Sequence, residues 1–356
     1  ALDIAEANST RFLRAQLLRE LERNDESLAD ARRVLDSDPF HEDALRLAGY
    51  LATTTGDAES GRGYYRQYLD INPGDVAIRM NIAYQLAQAG DPVGAMDFIR
   101  VGLEVDAEDT NLNDQFGNFA FTAAVNSQQA HELGGGEGLS PEAAGYYREA
   151  IEAYMKVFAA RGAEMPEGRL RNIIAAHIQL EEYPDATAKG VQFLEAYPES
   201  ESLWSIQADA LQRSGQIDEA IVALDRLLAI NPEHPNAALR QGNWLLQADR
   251  PDDAATKLAG YVTANPGQAN TAANMLWADG YRKGYQNDNY NYAVRLFNHA
   301  KAIPSISAEM TSQINFWHGF SVYQQTLGAA EPQTLASAQA TLPGFQQALS
   351  LLTGTE

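Results

Sequence analysis

No cysteine occurs among the 356 residues. That absence excludes disulfides, thiolate metal sites, iron–sulfur clusters and a cysteine nucleophile together. No apolar run approaches the ~20 residues a membrane-spanning helix needs, so direct membrane insertion is not expected. Basic side chains are few: 26 Lys and Arg stand against 48 Asp and Glu, a formal charge of −22. Such a charge disfavours unspecific grip on nucleic acid or an anionic bilayer. Lysine is scarcer still, confined to Lys156, Lys189, Lys257, Lys283 and Lys301. What is present is 45% hydrophobic and 21% charged, the composition of a folded soluble chain long enough to bury a sizeable core without metal or disulfide.

The organising feature is a repeat. Prolines closing an apolar stretch stand at Pro39 and Pro73, and again at Pro198, Pro232 and Pro266, each step being 34 residues. Gly56-Asp57 recurs 34 residues on as Gly90-Asp91. Small residues follow each turn at Gly61, Ala95, Ala186, Ala220 and Ala254, with apolar or aromatic residues four and seven positions further on, which is one helical face. The clearest unit runs from Leu203 to Pro232: two amphipathic segments of about thirteen residues flank Gly215, and Asn231-Pro232 ends the second. The spacing predicts a helix-turn-helix hairpin. Trp204, Ala208, Leu211, Ala220 and Pro232 make it resemble the tetratricopeptide repeat. The resemblance covers nearly the whole chain, with about nine hairpins beginning near residues 8, 42, 76, 110, 167, 201, 235, 269 and 309. It implies an all-α fold, a right-handed superhelical solenoid read as a single array over 1–356 and stabilised by stacking of neighbours.

The period is broken in places. Between Ala107 and Pro198 there are 23 residues too many for two repeats, most of them in 126–140 with its Gly134-Gly-Gly-Glu-Gly138 run, which reads as an insertion loop. Ser140-Pro141-Glu142 then reads as a helix start. From Pro266 to Pro304 the spacing is 38 rather than 34, and the excess falls in the Tyr/Asn-rich stretch 284–292, a second expected insertion loop. Both loops should project from one edge, where they are either tolerated surface insertions or partner contacts made by Tyr285, Tyr290 and Tyr292. The segment 309–356 reads as an atypical capping repeat. Gln313 to Leu327 should be helical, and Pro343-Gly344 should split the remainder into two short helices, the second with Phe345, Leu349 and Leu352 on one face.

Signatures of catalysis are missing. Six histidines are scattered singly, none at the i, i+4 spacing of a helical metal site. No phosphate-cradling or dinucleotide Gly fingerprint occurs. Asp109-Thr-Asn111-Leu-Asn113 opens like a calcium loop, but Asp114 and Ala120 occupy the places of the required Gly and Glu, so Asp109 reads as a helix cap. Glu181-Glu182 reads as a solvated face. No catalytic residue, metal or cofactor is expected.

The family resemblance implies that the first helix of each hairpin lines a concave groove that binds a peptide or protein partner. Its groove register maps to Arg46, Tyr50, Met80, Tyr84, Asp114, Asn118, Phe121, Arg171, Asp209, Arg213, Leu239, Asn243, Trp277, Tyr281, Phe320 and Tyr323. Asn118 and Asn243 occupy equivalent places, and an Asn amide can pair with a peptide's C=O and N–H together. The competing reading is that Trp277 and Phe320 fill the inside of the array and touch each other. The family's Lys-based carboxylate clamp is not evident, because no Lys falls in the register. A start at Ala1-Leu2-Asp3 without Met fits a mature protein after signal removal. With no Cys and little Lys, the expectation is an extracytoplasmic, periplasmic or secreted, protein of a bacterial envelope assembly, the alternative being a cytoplasmic one. The expected function is a non-enzymatic scaffold; the alternatives are a structural subunit of a larger or filamentous complex, or a regulatory arm of a polysaccharide- or peptide-processing enzyme.

Overall fold

The computed structural model describes residues 2–234, 236–329 and 335–354. Ala1, and the parts of the expected capping repeat at 330–334 and 355–356, lie outside the described residues. The chain divides into two compact units, 1–182 and 183–356, where the repeat register suggested one continuous array.

The first unit holds α1 (Leu2–Glu20), α2 (Asn24–Ser37), α3 (Glu42–Thr54), α4 (Ala58–Ile71), α5 (Val76–Gln88), α6 (Pro92–Val105), α7 (Thr110–Leu133), α8 (Pro141–Arg161) and α9 (Glu167–Gln179). The second holds α10 (Tyr183–Ala196), α11 (Glu201–Arg213), α12 (Ile217–Ile230), α13 (Ala237–Gln247), α14 (Pro251–Ala264), α15 (Ala269–Asp279), α16 (Tyr290–Lys301), α17 (Ala308–Ala329) and α18 (Leu335–Thr353). No strand occurs among the described residues. The all-α expectation holds, and α3, α5, α7, α9, α11 and α15 begin on the residues the register marks.

Local chemistry starts these helices. Side chains of Asp57, Asp75, Asp91, Asp109, Ser140 and Ser200 accept hydrogen bonds from the free N–H groups of the first turn, stabilising each helix by about 1 kcal/mol. Asp109 caps α7 through Asn111 N and Leu112 N at 2.9 and 2.8 Å, the role its sequence context implies. The turns between paired helices share one geometry: a left-handed residue recurs every 34 positions at Glu22, Gly56 and Gly90, and at Glu181, Gly215 and Asp249. Only three of these six are glycine, which is why the glycine signal found just some of the turns.

Packing follows the small-residue pattern. In the first unit Leu45, Tyr65, Tyr68, Leu69 and Ile82 form one cluster across α3, α4 and α5. Gly117 lets α8 close onto α7, since a Cβ there would lie 2.7 Å from the Tyr154 ring. In the second unit Leu258, Leu276, Leu296, Phe297 and Ile314 are fully buried in a core spanning α14 to α17. Each such side chain contributes about 1.5–3 kcal/mol of burial.

Three expectations are corrected. The 126–140 insertion is mostly helix: α7 continues through Leu133, because Asn126 to Leu133 contains no breaker, and only Gly134 to Leu139 connects it to the Ser140 cap of α8. Gln128 orders that short connection, accepting from Ser140 N at 2.8 Å and donating to Gly138 O at 3.0 Å. The stretch 284–292 is likewise not a projecting loop. A π-helical turn, Gly280–Gly284, and a 3-10 turn, Tyr285–Asn287, carry α15 on, and α16 has begun by Tyr290. Pro343 does not split the C-terminal segment; α18 runs unbroken through it. Tertiary packing overrides the proline there, with Gly344 set against Thr326 of α17 and Ala348 and Leu351 buried. Leu349 and Leu352 are largely exposed instead, while Phe345 meets Tyr323 at 5.8 Å.

Candidate interaction surfaces

In the first unit the register residues fall into two kinds. Arg46 and Tyr50 border a hollow of about 260 Å³ together with Phe12, Leu47 and Ile78. Tyr50 is half exposed there, and Met80 is half-buried nearby in sequence on α5. Tyr84, also on α5, is exposed and meets Phe119 at 5.9 Å, and partial burial raises its phenol pKa. The others are occupied by the fold itself. Asp114 receives both nitrogens of Arg169, at 2.9 and 3.2 Å. Phe121 packs edge-on against Tyr147 of α8 at 5.6 Å.

Asn118 is the sharpest departure. The Tyr154 hydroxyl donates to its Oδ1 at 2.8 Å, Asn172 donates to that hydroxyl at 3.4 Å, and Asn118 Nδ2 donates to Gln115 at 3.3 Å. Its amide is engaged on both sides, so the expected peptide-pairing group is a structural link between α7, α8 and α9. Burial pushes the Tyr154 hydroxyl up to about 12, consistent with a neutral donor held away from water. Its register equivalent Asn243 is exposed.

In the second unit Arg213 is exposed on α11, and Asp209 forms an ion pair with Arg240. Arg240 also donates to Ser205 Oγ at 2.9 Å and lies over the Trp244 ring at 4.9 Å, binding α13 to α11. Its role was not read from the sequence, since Arg240 sits one position beyond the register residue Leu239.

The most concentrated surface gathers around the π-helical turn. Trp277, Tyr281 and Tyr285 stack in succession, with centroids 5.6 and 5.8 Å apart and planes within 10° and 11°. Trp317 of α17 closes edge-on against Tyr281 at 4.6 Å and Tyr285 at 5.0 Å. Phe316 and Phe320 extend the group, and Phe316 is 48% exposed. These are offset-stacked and edge geometries that aromatic quadrupoles favour. The turn is possible because Gly284 lets α16 approach: a Cβ there would stand 2.6 Å from Ala293 N. Tyr285, expected on a separate loop edge, is thus part of the same surface as Trp277 and Tyr281. Trp317, at its centre, was missed because the register on α17 selected Phe320 and Tyr323. Trp277 connects to Phe320 only by way of Tyr281 and Trp317, so the large aromatics form one group without the direct Trp277–Phe320 contact of the competing reading.

The remaining loop-edge residues are corrected. Tyr292 lies on α16 and donates its hydroxyl to the buried Asp279 at 2.6 Å; burial first, then this hydrogen bond, raises its pKa. Tyr290 donates to Asp288 at 2.6 Å.

Comparisons with known proteins agree with this architecture. The family model for the tetratricopeptide repeat matches residues 12–76 and 207–269. No curated protein matches the chain. Among solved structures, that of Naa15/Naa10 bound to HypK-THB has a TM-score of 0.56 at 12% identity, over 97% of this chain and 51% of that one, so this chain spans about half its length. MamA from Desulfovibrio magneticus RS-1 has a TM-score of 0.40 at 16% identity, over 54% and 96%. YrrB, described as a tetratricopeptide-repeat protein with an unusual peptide-binding site, has a TM-score of 0.41 at 18% identity, over 57% and 92%. With its paired helices, its 34-residue turns and two stretches matched by the family model, the chain carries tetratricopeptide repeats at residues 12–76 and 207–269.

Proposed function

We propose that this chain is a non-enzymatic scaffold that holds a protein or peptide partner, and that the aromatic surface of Trp277, Tyr281, Tyr285, Phe316 and Trp317 makes the principal contact. The observation that carries the reading is the stacked array itself, partly buried against the core and with Phe316 exposed beside it. Aromatic side chains supply large contact area at little entropic cost, and they dominate binding energy at interfaces. Arg213 and Asn243 are exposed polar groups of the same unit and suit the rim of such an interface. Tyr50, Met80 and Tyr84 offer a smaller, second contact in the first unit. Repeats of this family are in general interaction modules rather than catalysts.

The test is capture from the native source by tagged protein, comparing wild type with Phe316→Ser and Tyr281→Ala. A partner retained by wild type and reduced at least about tenfold by both variants, with helicity unchanged by circular dichroism, is the expected result. Undiminished capture by both would remove the aromatic surface from the interface. A second reading, as subunit of a larger assembly, is favoured by Leu13 and Leu17 on α1 and Leu21 in the turn that follows it, each more than half exposed. Light scattering at high concentration separates the two, since a monomer counts against self-assembly. Work in a bacterial envelope compartment is supported by composition alone, and cell fractionation tests it.

A further inference from the structure

A second surface of the second unit has a different chemistry. Between α10 and α12, with α11 as its floor, lies a groove of about 870 Å³ lined by Val191, Leu194, Trp204, Leu211, Val222 and Ala223. Val191 is 57% exposed and Val222 56%, one from each flanking helix. On α11 the residues facing this groove, Trp204, Gln207 and Leu211, are on the side opposite Asp209 and Arg213, and the groove shares no residue with the aromatic surface above. Glu195 and Glu219 line it too and form no ion pair among the described residues, while Asp218, also in the lining, is reached by Arg250.

The equivalent groove of the first unit shows what is unusual. Counting from Pro73 and Pro198 as equivalent repeat ends, Val191, Trp204, Val222 and Ala223 correspond to Arg66, Arg79, Asp97 and Phe98. There, between α4 and α6, the guanidinium groups of Arg66 and Arg79 lie over the Phe98 ring at 5.5 and 5.9 Å. The chain thus supplies its own cations and its own ring. Between α10 and α12 both arginines are replaced by apolar side chains and the ring by a methyl group, leaving an open apolar trough with unpaired carboxylates beside it.

We propose that the groove between α10 and α12 docks a basic amphipathic helix of a partner protein. The flanking helices accept a third by ridges-into-grooves packing, with apolar side chains at i, i+4 and i+7 seated on Trp204 and between Val191 and Val222. Lysine or arginine on that helix's flanks meets Glu195 and Glu219. A neutral or acidic helix would leave those carboxylates desolvated without a counter-charge.

The probe is a fluorescently labelled sixteen-residue peptide of leucine at helical spacing with lysine elsewhere, measured by anisotropy against the full chain. A matching peptide with glutamate in place of lysine is the charge control. Val222→Glu tests the trough, and Val105→Glu, at a 56% exposed site of the first unit, adds the same charge elsewhere. The expected result is that the lysine peptide binds wild type and Val105→Glu alike, binds Val222→Glu at least about tenfold more weakly, and outcompetes the glutamate peptide. Attraction by net charge alone would leave Val222→Glu binding as tightly as wild type or tighter, and that outcome overturns the proposal. So does failure of the lysine peptide to bind, equal binding of the glutamate peptide, or self-association of the chain that Val222→Glu abolishes, which would make a second copy the occupant.

Discussion

At the scale of single residues, Tyr154 ties three helices together. Its ring lies on Gly117 and its hydroxyl donates to Asn118 while accepting from Asn172. The folded-state pKa, raised to about 12 from an unfolded value near 10, means that the folded chain retains this proton when the unfolded chain has lost it. The corresponding stability is intact below about pH 10 and lost as pH rises from there to about 12, up to about 3 kcal/mol from this fully buried group. Urea unfolding of wild type and Tyr154→Phe as a function of pH should show a shallower alkaline decline in the variant. The pair Asn118 and Asn243, equivalent in the repeat, should behave differently. Asn118→Ala leaves a buried hydroxyl without its acceptor and should cost about 1–3 kcal/mol, whereas Asn243→Ala should stay within about 0.5 kcal/mol, both read from urea midpoints.

At the scale of elements, the repeat period and the helix caps are local and were legible as such. The exceptions arise where a neighbouring element decides. Proline lacks the N–H that would bond the carbonyl four residues back, yet α18 passes through Pro343 because α17 holds it from one side. Pro343→Ala should therefore restore the bond to Gln339 and stabilise α18 by up to about 3 kcal/mol, seen as slower hydrogen exchange over residues 344–350. Unchanged exchange there would mean that no strain is held at the proline. Gly284 poses the opposite case. The π-helical turn that aligns Tyr281 with Tyr285 depends on close approach of α16, so Gly284→Ala should collide with the backbone of Ala293 and lower the melting temperature. The same variant should disturb the tryptophan emission of Trp277 and Trp317.

For the whole molecule, two compact units of stacked hairpins imply that stability is distributed along the chain rather than held in one centre. Amides of buried Ala48 in the first unit and Ala273 in the second should accordingly show different exchange midpoints in urea; a single shared midpoint would indicate one cooperative unit. The charge of −22 excludes little about any particular surface. Arg66 and Arg79 stand in one groove, while unpaired carboxylates line its equivalent.

By itself the sequence determined the helical hairpin, its 34-residue period and most helix starts. These depend on periodicity, caps and breakers that act within a few residues. It also placed Trp277 and Tyr281 on one face, since they are one helical turn apart. Tertiary structure alone decided which of these residues are free to bind. Asn118 is engaged by a tyrosine 36 residues away, Trp317 enters the aromatic surface from another helix, and Tyr292 is drawn inward by Asp279. Exposure at a given repeat position is set by side chains brought in from another helix, of the same hairpin for Asn118 and Tyr292 and of the next for Tyr281 and Tyr285, and no pattern within one helix encodes them.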